Sequence, residues 1–461
     1  MQFRSSFLVF TFFFIFLSNL ALANVGDIFG FGSRSMSLGG AGGSLGSSPS
    51  VAYHNPAALA AAADEGPRFR ASWGFVYVQP TFTPINSVVT QNTFIADGLA
   101  TGNVDMTYKP TVGQELGFTY RLFPEVGNFT IGLISFLPFN QLAYMDSGEA
   151  YVPEYFQYRA RTQRPQVEFG AGAALGKGLY LGAGVHAAFT LTGNGTVFLN
   201  TQANTASSMR FTASMLPKLA PFFGVYYAPP EKPFSLATVF RTPVASDNNF
   251  SLSSSARVFG PLPGVDFNFM AVSALFYDPM ALEIGGTVTP TSWLKVVGQV
   301  DWQIWNQFRA PAMLISQPQT TPVGTGSFSI ASGSVPAFNY VNIVVPRGGV
   351  EISFSDTTVL RLGYYYRPSM IEGVPNGAGN YLDPATHAAN IGLGLKVPHF
   401  LTLENPLNID FNFTYQLLTA FRVTKTAGNE AGVSTDQKIG SPGYDVGGNL
   451  LGGGVSLSVA F

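Results

Sequence analysis

The chain has 461 residues, with 24 Lys and Arg against 26 Asp and Glu, a formal net charge of −2 and only 11% charged residues, where an ordinary soluble domain has about 25%. Aromatic residues make up 14%, 41 of them Phe, and there is no Cys. So few charges among so many aromatics exclude a disordered chain and a basic nucleic-acid binder. The missing Cys excludes a disulfide framework, a thiolate metal site and a Cys nucleophile. Beyond the first 23 residues, no segment is apolar over the ~20 residues that a membrane-spanning helix needs.

Residues 1–23 read as an export signal: one positive charge in Met1 to Arg4, an apolar run from Phe7 to Leu22, and Ala21-Leu22-Ala23 as the small-x-small cleavage pattern. Residues 24–66 do not alternate; Gly and Ser dominate, as expected of compact loops with short helical turns. Asn55-Pro56-Ala57 starts a helix, because Asn caps free N–H groups and Pro at the first helical position loses no hydrogen bond. A segment of this kind, placed at the mouth of a barrel, is expected to fold into the lumen as a plug.

From residue 67 to 461 the period is two. Leu407 to Leu417 sets Leu407, Ile409, Phe411, Phe413, Tyr415 and Leu417 against Asn408, Asp410, Asn412, Thr414 and Gln416. These sets lie on opposite faces of a strand. Leu179–Leu191, Leu294–Phe308 and Leu451–Phe461 repeat the pattern. The runs match the ~9–11 residues that a strand needs to cross a bilayer. Six tight connections (near 123–125, 176–178, 228–231, 289–292, 355–357 and 397–406) alternate with seven longer polar stretches (near 82–103, 142–156, 196–208, 246–268, 310–340, 368–386 and 424–448). Short turns alternating with long loops are the rule for outer-membrane barrels. The expected fold class is all-β: a 14-stranded antiparallel transmembrane barrel plugged by a small N-terminal hatch with short helices. A soluble sandwich also alternates, but its core is too small to bury this much apolar surface.

The Gly/Ser-rich N-terminal segment ending in Asn55-Pro56-Ala57, the fourteen-strand layout, the strand texts Phe240-Arg241-Thr242-Pro243-Val244 and Leu360-Arg361-Leu362-Gly363-Tyr364, and the terminal Phe461 together resemble the outer-membrane long-chain fatty-acid and aromatic-hydrocarbon transporters (FadL/TodX-like). The resemblance covers essentially the whole chain after the export signal. The chain departs from it before the Asn-Pro-Ala motif, where Gly46 to His54 carries no acidic residue. The resemblance implies a Gram-negative outer-membrane channel that works by diffusion. A hydrophobic small molecule (a fatty acid or hydrocarbon) is held in an apolar lumen pocket and released sideways at a kinked third strand after hatch movement. It also implies Ile28, Phe29, Phe31, Met36 and Leu38 as pocket residues. The partners it implies, besides the ligand, are outer-membrane lipids and the barrel insertion machinery, which reads Phe461.

In the third strand, Phe129 to Phe139, alternation fails after Leu133, so Ser135 and Pro138 mark the expected kink; Pro138 has no N–H for the ladder. Parity places Arg347, Glu351, Arg361 and Arg367 on the inward face of two neighbouring strands, and Lys295 and Asp301 on another. They read as a cross-strand ion ladder or as the bidentate receptor of a ligand carboxylate. Arg159, Arg161 and Arg164 stand near the outer mouth. The four His (His54, His186, His387 and His399) show no metal-ligand spacing, and no G-x-S-x-G elbow is present. No catalytic residue, metal or cofactor is expected. The alternative to a channel is a barrel of the same shape that transports nothing and serves as a docking or assembly component.

Overall fold

In this computed structural model the described residues are 31–46, 48–61, 67–92, 99–123, 128–139, 152–158, 164–200, 208–257, 265–308, 314–315, 319–323, 326–330, 338–373, 380–398, 400–401, 403–425, 437–441 and 443–461. The export signal, Ile28, Phe29, Arg159, Arg161, His399 and the Pro124-Glu125 turn lie outside them.

Fourteen strands form the wall: β1 Phe69–Phe82, β2 Thr111–Leu122, β3 Phe129–Pro138, β4 Gln166–Gly176, β5 Leu179–Asn200, β6 Ser208–Tyr227, β7 Phe234–Arg241, β8 Met280–Thr291, β9 Leu294–Ile304, β10 Ile343–Ser355, β11 Thr358–Arg367, β12 Thr386–Val397, β13 Leu407–Thr424 and β14 Gly443–Ala460. Each pairs antiparallel with the next, and β14 pairs with β1 from Phe82↔Gly448 to Arg70↔Ala460, closing the ring. Closure leaves no bare edge in the bilayer, where an unpaired backbone group costs several kcal/mol. Phe461 completes the seam: its N–H donates to the Phe69 carbonyl at 2.8 Å, and the Phe69 N–H returns the bond at 3.3 Å.

Burial alternates as the sequence pattern demands. On β13, Asn412, Thr414, Gln416 and Leu418 are buried, while Phe411, Phe413, Tyr415 and Leu417 are exposed. Trp73, Tyr120, Phe169, Phe223, Phe240 and Trp302 stand on the same outward face of other strands. An outward apolar band rich in aromatics, with a polar interior, is the surface of a lipid-embedded barrel.

The gaps between the wall strands match the six short and seven long connections read from the sequence, but four of the long stretches carry strands of their own. The stretch 246–268 reads as a polar loop, yet Val244–Arg257 and Val265–Asp278 pair as a hairpin. The first of these strands also pairs in parallel with β5 from Thr192 to Asn200. The alternation of this hairpin is short, Phe250 and Leu252 on one strand and Val265, Phe267 and Phe269 on the other, and is set among Ser and Asn runs. Among the short turns, β4–β5 is Gly176-Lys177-Gly178, all three at positive φ (93°, 54° and 78°), which only the flanking glycines adopt without strain.

Residues 31–61 lie inside the ring. They form three short helices, α1 Ser33–Ser37, α2 Val51–His54 and α3 Ala58–Ala61. Phe31, Met36, Val51, Tyr53 and Leu59 of this hatch are buried in one cluster with Val76 and Val78 of β1 and Ile134 and Phe136 of β3.

Candidate functional site

The barrel wall accepts the hatch through glycine notches. A Cβ on Gly182 would lie 2.2 Å from Ala57 N, and one on Gly172 2.4 Å from Pro56 O. On the other side, a Cβ on Gly363 would meet Gly39 N at 2.3 Å, and one on Gly392 the Ser37 hydroxyl oxygen at 1.9 Å. Hatch backbone therefore touches wall backbone, a closeness that any side chain would forbid.

Polar bonds pin the hatch in this seat. The Gly32 N–H donates to Glu115 at 3.0 Å, the Gly43 N–H to Gln299 Oε1 at 3.1 Å, and the Ser44 hydroxyl meets that of Thr287 at 2.7 Å. Arg34 forks onto Glu351, with Nη2 at 2.6 Å from Oε1 and Nε at 3.0 Å from Oε2. Arg241, ion-paired with Glu283, donates to the Tyr53 carbonyl and stacks over the Tyr53 ring at 4.4 Å. Asn55 does more than cap α3. Its Oδ1 accepts from Ala57 N–H at 3.1 Å, while its Nδ2 donates to Gly43 O at 3.0 Å and to Val225 O of β6 at 3.2 Å. Pro56 and Ala57 sit over the Gly172 and Gly182 notches.

The lumen charges do not form one ladder. Glu351 receives Arg34, Arg361 and, at 3.5 Å, Lys295, and Arg361 reaches on to Asp410. Arg347 pairs with Asp301 and donates to Gly39 O at 3.3 Å. Arg367 stands apart: it pairs with Asp383 at 2.9 Å, whose other oxygen accepts from Met370 N–H at 2.7 Å, so it fixes the β11–β12 loop. Each of these Arg residues already serves a carboxylate of the chain. A separate buried group joins His186 to Glu168, and Arg164 to Asp278.

His54 is 4% exposed, and its Nε2 lies 2.9 Å from Phe31 O and 2.8 Å from the Ser35 hydroxyl. Burial pushes the imidazole down to about 4. The bond to Phe31 opposes that shift, and the Arg241 and Arg347 guanidiniums add to it. The histidine is therefore neutral at pH 7.

The hatch separates unlike spaces. On the short-turn side lie cavities of about 650 and 960 Å³, both bounded by Arg34 and Lys295. On the long-loop side a cavity of about 380 Å³ is lined by Ile371, Tyr381, Leu382, Phe421, Val423 and Tyr444. Beside it Phe156, Tyr277, Trp305, Phe308, Tyr340 and Tyr381 pack as one aromatic cluster, with ring centroids such as Tyr277–Phe308 at 4.6 Å. Phe31, Met36 and Leu38 line none of these three cavities; they are 1%, 5% and 0% exposed and seat the hatch. Ser135 donates to Leu116 O at 3.3 Å. Pro138 ends β3, whose ladder to β2 runs unshifted from Leu122↔Phe129 to Gly113↔Pro138. The ladder to β4 stops earlier, at Phe136↔Gln166.

Arg241, Glu115 and Gln299 were not singled out as site residues from the sequence. Each faces inward by parity, but nothing in the aperiodic hatch says which backbone group meets them. Among the described residues no cluster of three or more His, Asp or Glu is arranged to hold a metal.

A closed fourteen-strand ring with an apolar exterior and a plugged lumen defines a hatch-filled barrel of the Gram-negative outer membrane. No protein-family model matches the chain. It is 24% identical over 287 residues to alkane uptake protein A of Marinobacter nauticus, a match spanning 59% of this chain and 60% of that protein. The solved structure of a Pseudomonas aeruginosa FadL homologue is similar with a TM-score of 0.55 at 12% identity, covering 95% of this chain and 98% of the other. The Ralstonia pickettii toluene transporter TbuX follows at 0.51 and 15% identity, covering 94% and 99%. The relative is an alkane uptake protein, the structures are a FadL homologue and a toluene transporter, and the chain shares the fold of those structures.

Proposed function

We propose that the protein is a passive channel that takes a hydrophobic small molecule, a long-chain fatty acid or a hydrocarbon, from the long-loop side to the periplasm. One observation carries this reading: an apolar, aromatic-flanked cavity on one side is divided from two cavities on the other by a hatch of about thirty residues held through polar bonds. Ligand collects in the outer cavity and passes when the hatch shifts. Release at β3 fits the 650 Å³ cavity, which reaches Ile134 beside Ser135, and the β3–β4 ladder, which ends two residues before Pro138. The names of the similar proteins support the ligand class.

A non-transporting docking barrel is the second reading. It is favoured by the charged lining of the short-turn cavities, where Arg34, Lys295, Glu351, Arg361 and Asp410 replace apolar groups. Uptake of radiolabelled oleate and of radiolabelled hexadecane by a host lacking its own transporter distinguishes the two. The channel reading predicts uptake several-fold above the empty vector for at least one probe. Uptake at vector level for both, with folded barrel present, leaves the docking reading.

A further inference from the structure

One strand exchanges its faces on the way up the barrel. On β13 the even positions Asn412, Thr414, Gln416 and Leu418 are buried and point inward. Above Leu418 the register to β14 shifts. Leu418 pairs with Gly448 and Phe421 with Val446, so Thr419 and Ala420 together stand opposite Gly447. This is a β-bulge, whose extra residue re-aims the side chains beyond it. From there the odd positions take the inward face. Val423 pairs with Tyr444, and both are buried, with Val446, in the cluster that holds the hatch. Arg422 and Asp445 form an exposed ion pair, at 2.9 Å, on the opposite face. With unbroken alternation, Ala420 and Arg422 would point inward in place of Phe421 and Val423.

The bulge is fixed from within. The Gly447 N–H donates to the Tyr155 hydroxyl oxygen, and the Tyr155 O–H donates to Gly447 O, both at 2.9 Å. Tyr155 is itself fully buried and stacks on Phe82 of β1 at 4.2 Å.

This exchange decides what lines the 380 Å³ cavity. Thr419, Phe421, Val423 and Tyr444 form its β13–β14 wall, and Phe421 is the open one, 42% exposed. The polar groups around it already have partners. The Tyr444 O–H donates to Asn380 Oδ1 at 2.7 Å and the Ser369 hydroxyl to Ile371 O at 2.9 Å, while Asp383 is held by Arg367 and the Met370 N–H. Among the described residues that line the cavity there is no Lys or Arg. Lys425, the next inward position after Val423, is buried and outside that lining. A ligand carboxylate lodged here meets the Asp383 carboxylate and no cation, and a buried charge without a partner is costly. A hydrocarbon chain needs only the apolar wall.

Granted the channel proposed above, we infer that the β13 bulge sets its ligand class: Phe421 is the specificity-determining residue of the outer cavity, which takes a neutral hydrocarbon chain and turns away a fatty-acid carboxylate.

Radiolabelled hexadecane and palmitate, equal in chain length, test this in a host lacking its own transporter, with each variant checked for heat-modifiability. The wild type should take up hexadecane about tenfold faster than palmitate, since an unpaired buried carboxylate costs more than the ~1.4 kcal/mol that a factor of ten represents. Phe421→Arg places a cation where the bulge keeps one out; it should lower hexadecane uptake several-fold and raise that of palmitate. Arg422→Ala, on the opposite face, should leave the ratio of the two unchanged. Equal uptake of both probes by the wild type overturns the assignment and leaves the channel standing. So does a wild-type ratio kept in Phe421→Arg, or the same change of ratio in Arg422→Ala. Uptake of both probes at vector level, with folded barrel present, removes the channel and the assignment together. Should Phe421→Arg fail to fold, Phe421→Ser decides by the same ratio: a several-fold fall supports the assignment, and the wild-type ratio overturns it.

Discussion

Between pH 6.5 and 4 the His54 imidazole works against the docked hatch. A free histidine takes its proton near 6.5, and the docked one only at about 4. The docked form thus binds fewer protons, so docking is strongest above pH 6.5 and weakens as the pH falls toward 4, by on the order of 3 kcal/mol. Protease cleavage of the hatch in intact barrels should therefore accelerate over that window, and His54→Gln should flatten the profile. A wild-type profile flat from pH 7 to 4 contradicts this. Glu351 tests the charges. It serves Arg34, Arg361 and Lys295 in a buried setting, and removing one side of such a group costs about 3–5 kcal/mol. Glu351→Gln should lower the temperature of barrel unfolding, read by heat-modifiability, far more than Arg422→Ala, which breaks the exposed Arg422–Asp445 pair. Equal shifts would show that the buried group contributes nothing. Parity tells that Glu351 and Arg361 share a face. It is silent on Arg34, because a hatch without period gives no register against the wall.

Strands were the most legible elements, and for a physical reason: a wall one residue thick, with lipid outside and polar filling inside, writes its period directly into the sequence. The β13 text shows it, every other residue apolar from Leu407 to Leu417. The hairpin of Val244–Arg257 and Val265–Asp278 escaped, since its alternation is short and lies among Ser and Asn residues that also read as loop. The helix α1, spelled Ser-Arg-Ser-Met-Ser, has neither propensity nor amphipathic spacing and exists because the notches at Gly363 and Gly392 hold it. The notch under the Asn-Pro-Ala segment gives the element-scale prediction. Gly182→Val should leave the barrel heat-modifiable yet make the hatch protease-sensitive, because its Cβ meets the Ala57 backbone. Full protection in that variant would mean that the hatch does not depend on the fit. At the closing seam, removing Phe461 deletes both backbone bonds to Phe69 and a ring contact at 5.9 Å. We expect less folded barrel in outer-membrane fractions, consistent with recognition of this end by the insertion machinery. Unchanged amounts would contradict that role.

At the scale of the whole molecule, fourteen strands make a ring too wide to be filled by wall side chains alone, and the hatch occupies what is left. The strand count was readable because turns and loops alternate; the filling was readable only as a segment that fits no strand. What the hatch does depends on whether it moves. Most of its links are single hydrogen bonds contributing about 1 kcal/mol net each, with the buried Arg34–Glu351 fork the strong exception, so the parts of the hatch away from Arg34 are the ones a small number of broken bonds releases while the ring stays closed. The most direct measurement locks it. A Cβ on Gly43 of the hatch would lie 3.9 Å from the Ala237 Cβ of β7, within the ~3.5–4.5 Å that a disulfide spans, and no native thiol competes. In cells carrying Gly43→Cys with Ala237→Cys, the account predicts that oxidation reduces oleate or hexadecane uptake to the vector level and that dithiothreitol restores it; uptake by the oxidised, cross-linked barrel equal to that of the wild type would contradict it.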